Sequence, residues 1–68
     1  MKKRIYMVSG ARPDGGGIVR MLIAADDREA AITVAEGVAQ RVEIEIESGV
    51  FDREGKDTII GQRDYALS

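Results

Sequence analysis

Residues 41–48 read "RVEIEIES", and this stretch decides the fold. Val42, Ile44 and Ile46 alternate with Glu43, Glu45 and Glu47. In an extended chain successive side chains point to opposite faces, so a two-residue period marks a strand with one apolar face and one wet face. The three glutamates are therefore expected to share the outer face of a strand over residues 42–50.

Just upstream the period changes. In "DDREAAITVAEGVAQR" (residues 26–41), Ala31, Val34, Ala35 and Val38 recur at helical spacing, and Ile32 and Ala39 widen the stripe. Asp26, with Glu29 three residues later, reads as a capping box at the helix start. Alanines dominate the stripe, so the helix can lie close to a sheet. Gly37 should weaken the helix by up to about 1 kcal/mol unless it serves a close contact.

Further upstream, "KRIYMVS" (3–9) and "IVRMLIAA" (18–25) have strand composition and length. Between them "GARPDGGG" (10–17) supplies a proline, an aspartate and three consecutive glycines, the residues of a long, mobile hairpin loop. Downstream, "FDREGKD" (51–57) reads as a turn, and "TIIGQRDYA" (58–66) as a last strand weakened by Gly61. The order is β-β-α-β-β. If neighbours in sequence pair, and the helix carries the third strand beside the first, the sheet is antiparallel with order 2-1-3-4. One helix then covers one face, which makes a two-layer α+β sandwich.

Sixty-eight residues allow a single domain, 1–68. With 44% hydrophobic and 32% charged residues the balance is globular. A domain this small buries only about 60% of the surface of its unfolded chain, so stability is marginal. The usual remedies are disulfides, metals or a partner. The chain holds neither Cys nor His, which removes disulfides and zinc-type sites and leaves association. The lack of cysteine fits a reducing cytoplasm. No signal peptide is visible, and no apolar run approaches the roughly 20 residues that span a bilayer. No cofactor, metal or membrane is expected.

Charge is unevenly spread. Residues 1–23 hold five basic side chains against one acidic, and residues 24–68 hold five against eleven, within a net charge of −2. Such asymmetry permits pairing between elements or a two-sided binding surface.

The candidate chemistry is thin. Carboxylates two apart on a strand lie roughly 7 Å apart, a spacing that could suit an acid–base pair, but so short a chain can hardly build the deep cleft such catalysis needs. A solvated face paired with Arg20 or Arg63, or an acidic docking stripe, fits better. "RPDGGG" lacks the Walker spacing and joins two strands, so no helix dipole backs it as a phosphate cradle. "DREGKD" fails the calcium-loop register: counting from Asp52, position six is Asp57 and position twelve is Arg63. Lys2, Lys3 and Arg4 could meet phosphate, yet the chain is acidic and carries only Tyr6, Phe51 and Tyr65 as aromatics. Ser9, Ser48 and Ser68 have no visible activating base, so the chain is expected not to be an enzyme.

A short strand "RIYMVS", a polar loop, a second strand running into an alanine-rich helix, then "VEIEIESGVFDREGK" as strand and turn: this layout resembles small phage-encoded anti-CRISPR proteins of ββαββ architecture. The likeness spans most of the chain and is one of element order and length, with no motif behind it. It implies an inhibitor that covers a CRISPR–Cas surveillance complex, and it assigns no residue.

The first expectation is thus a non-enzymatic interaction module that binds and blocks a larger host protein or nucleoprotein complex. Glu43, Glu45 and Glu47 are its candidate contact residues, followed by Arg12 and Arg53 on the two loops. The alternatives are a small nucleic-acid-binding regulator that uses the basic first hairpin, and a homo-oligomeric structural protein, for instance a homodimer.

Overall fold

The computed structural model describes residues 2–52 and 55–66. Four strands and one helix follow in the order β1 (Lys2–Ala11), β2 (Gly17–Ala25), α1 (Arg28–Glu36), β3 (Gln40–Asp52) and β4 (Thr58–Ala66). All strand pairs are antiparallel and form one open sheet. The helix lies on one face, so the architecture is the expected two-layer α+β fold.

The strand order is β3-β1-β2-β4. The helix does place β3 beside β1. The last strand, however, does not pair with β3. It runs along the outer edge of β2, from Ala24↔Thr58 to Gly17↔Ala66. The reason lies at the end of the sheet. Asp57, just ahead of β4, accepts hydrogen bonds from the Lys3 ammonium at 2.7 Å and from the backbone N–H of Asp26 at 3.2 Å. Those contacts hold the start of β4 at the end of β2, across the sheet from β3.

The core lies between helix and sheet. Tyr6 and Val8 of β1 and Val19, Met21 and Ile23 of β2 meet Ala31, Ala35 and Ala39. Val42 and Ile44 of β3 and Ile59 of β4 border them. Among the described residues, four of the nine buried members of this core are alanines, so the core is thin.

The helix is shorter than its periodic stripe. Asp27, not Asp26, is the N-cap: its carboxylate accepts from the Ala30 N–H at 2.8 Å. Asp26 is turned to Lys3 instead, 2.9 Å away. At the other end the Gly37 N–H bonds back to Val34 and Ala35, and the Ala35 carbonyl also accepts from Val38 and Ala39. Gly37 therefore ends the helix. Gly10 lets the chain after it pass close to β1, for a Cβ there would lie 2.8 Å from the Gln40 carbonyl oxygen. Next comes Arg41 with φ 53°, in the left-handed region that L-residues seldom enter.

Candidate interaction surface

The glutamate stripe is not continuous. The β1–β3 ladder pairs Ser9 with Glu43 and Val8 with Ile44, then steps to Met7↔Ile46 and Tyr6↔Glu47. Residues paired across strands share a face. The step is a β-bulge, and beyond it the faces exchange. Ile46 lands on the helix-free face, 55% exposed. Glu47 lands on the helix side, 3.5 Å from Arg4 and 3.2 Å from Arg28. The expectation of three glutamates on one face is corrected by this bulge.

Glu45 remains on the helix-free side and binds Arg20 at 3.0 Å. Arg63 lies opposite Arg20 on β4. Glu43 and Arg63 have no ion-pair partner among the described residues. Half-exposed pairs such as these contribute about 0–1 kcal/mol each, so they orient side chains more than they stabilise.

The first loop is tightly organised. Arg12 and Gly15 close a turn around Pro13 and Asp14, the Gly15 N–H donating to the Arg12 carbonyl at 2.9 Å. The Asp14 carboxylate accepts from the Gly16 N–H at 2.7 Å and from the Arg12 guanidinium at 2.8 Å. These bonds, the Gly16 N–H first, hold the Asp14 carboxyl below its ordinary value. Arg12 and Asp14 are thus engaged with each other, and the Gly15 and Gly16 N–H groups are already bonded within the loop. Arg53, the other loop candidate, lies outside the described residues.

Lys3 is 2% exposed yet sits on the helix-free side of the sheet, between Asp26 and Asp57. The hydrogen bond to Asp57, then that to Asp26, raises its pKa above the ordinary 10.5. Arg4, Arg12, Arg20 and Arg28 are paired with acids as well. The basic N-terminal hairpin is largely neutralised by its own fold.

The helix-free face itself has a pattern in rows. Ile46, Met7, Leu22 and Gly61 form one row across the four strands. Glu43, Ser9, Arg20 and Arg63 form the next. Gln40, Ala11, Ile18 and Tyr65 form a third. Ile18, Leu22, Ile46 and Tyr65 are each at least 39% exposed. A shallow groove bounded by Met7, Leu22, Gly61 and Tyr65 runs along β2 and β4.

Sequence reading did not single out these apolar residues. The signal was in "IVRMLIAA": a strand apolar on both faces has more than one face to cover. No family model matches the chain, and no curated protein or solved structure matches it.

Proposed function

We propose that the chain is a non-enzymatic protein-interaction module whose contact surface is the helix-free face of the sheet. The observation that carries this is the pair of apolar rows, with exposed Ile46 and Leu22 in one and exposed Ile18 and Tyr65 in the other, on either side of the Glu43–Arg63 row, on a face that no element among the described residues covers. Several large apolar side chains exposed together on one sheet face, with polar residues among them, are the mark of an interaction surface. The charges of Glu43 and Arg63, at the two ends of the row between them, suit specificity and encounter rate. The module acts by occupying a surface, which is the mode an inhibitor of a larger protein or nucleoprotein complex requires. Nucleic-acid binding is less well supported, because Lys3, Arg4, Arg12 and Arg20 are already bonded to carboxylates.

Capture on the immobilised chain tests this, with host lysate and with the chain's own untagged copy as the two mobile phases. The face variant Leu22→Lys/Ile46→Lys should lose whatever the native chain holds. Thr33→Lys, on the exposed side of the helix, should keep it. Equal capture by both variants removes the helix-free face as the contact surface.

A further inference from the structure

The rows of that face are complementary to themselves. Consider a two-fold axis parallel to the strands, in the plane above the face, midway between β1 and β2. It lays β3 of one chain over β4 of the other, and β1 over β2. Residues of the same row then meet. Ile46 comes over Gly61, where a Cβ would find no neighbour nearer than the Leu22 side chain at 3.8 Å. Met7 comes over Leu22. In the next row Glu43 comes over Arg63, the acid and the base that lack ion-pair partners among the described residues of their own chain. In the third row Ala11 comes over Ile18. Large meets small at Ile46–Gly61 and Ile18–Ala11, apolar meets apolar at Met7–Leu22, and negative meets positive at Glu43–Arg63, each twice per pair of chains, as an isologous interface requires.

Resting on the reading of this face as a protein-interaction surface, we infer that its occupant is a second copy of this chain, packed face to face about that two-fold axis. The size suffices. Four strands about 4.8 Å apart give a width of about 19 Å. Nine residues of β2 at about 3.4 Å each give a length of about 30 Å. That is roughly 600 Å² per chain and about 1,200 Å² in total, at the lower end of specific interfaces. Sheets stacked this way pack with strand directions within about 30° of each other. The thin alanine core gives the association a further role, because the two stacked faces form a second core that the single chain lacks.

Size exclusion with light scattering on the full chain at high micromolar concentration tests the inference. The native chain should run at twice its 7.4 kDa mass. Glu43→Arg and Arg63→Glu should each run as monomers, since each brings like charges together twice. An equimolar mixture of these two variants should dimerise again, because every facing pair is then opposite in sign. Gly61→Leu should be monomeric with an unchanged circular dichroism spectrum, because it fills the space that Ile46 of the other copy enters. A native chain that stays monomeric overturns the inference, and so does a dimer indifferent to Glu43→Arg and Gly61→Leu. Should the monomer still capture another protein through Leu22 and Ile46, the interaction reading stands without the dimer. Should face-dependent capture be absent as well, both fall.

Discussion

A Cβ placed on Gly17 would lie 1.9 Å from the Tyr65 carbonyl oxygen, and the residue sits at φ 152°. No side chain fits there while β2 and β4 stay paired. Gly17→Ala should therefore destabilise the chain by about 2–3 kcal/mol, read as a fall in the urea midpoint. Arg41 is the reverse case. Its left-handed backbone at φ 53° costs roughly 1 kcal/mol for an L-residue, and glycine would relieve it. Arg41→Gly should raise the midpoint by less than about 1 kcal/mol, because glycine also loosens the unfolded chain. A lower midpoint would mean that the Arg41 side chain contributes more than its backbone costs. The glycine run 15–17 marked Gly17 as a place for positive φ, but neither its close approach to Tyr65 nor the backbone of Arg41 was legible in the sequence, because both are imposed by pairings more than twenty residues away.

At the scale of the element, two neighbouring aspartates have different tasks. Asp27 caps the helix, so Asp27→Ala should cost about 1 kcal/mol and reduce helical ellipticity. Asp26→Ala should leave the helix intact and act on the Lys3–Asp57 contact instead. A loss of ellipticity in Asp26→Ala equal to that in Asp27→Ala would contradict this division. From the sequence either aspartate could open the helix, and Lys3, far upstream, selects between them. The glutamates of β3 teach the same point. Their alternation identified the strand and the core-facing Val42 and Ile44. It could not show the bulge after Ile44, because a two-residue period reads through an inserted residue unchanged. Helix, strands and α+β class were legible as local patterns. The helix-free face as a site was not, for it exists only once four strands lie side by side.

Across the whole molecule, Lys3 joins β1, the start of α1 and the start of β4. Its pKa is raised in the fold, so its contribution is fully present below about 10.5 and is lost as pH rises through the folded value. Tyr6 acts in the same direction. Burial raises its pKa above 10.0, and neutral tyrosine is favoured in the fold. Stability should therefore fall as pH rises above about 10, and the fall should be shallower in Lys3→Met, where of these two groups only Tyr6 remains. An unchanged alkaline profile in Lys3→Met would contradict the linkage. The strand order belongs to this scale too. "DREGKD" has the composition of a hairpin turn, and what overrides local pairing is the pull of Lys3 and the Asp26 N–H on Asp57.

The position of β4 at the far edge bears on how the protein is made. A nascent chain that has emerged only as far as Asp52 already carries β1, β2, α1 and β3. In that state β2 has a bare edge of unpaired N–H and C=O groups, running from Gly17 to Ala24. The partner for that edge is translated only after β3, about forty residues after β2, so the edge is unguarded in the meantime. Truncation within β4 would make that transient state permanent, yielding a chain with its helix and core intact and a sticky edge in place of a closed one.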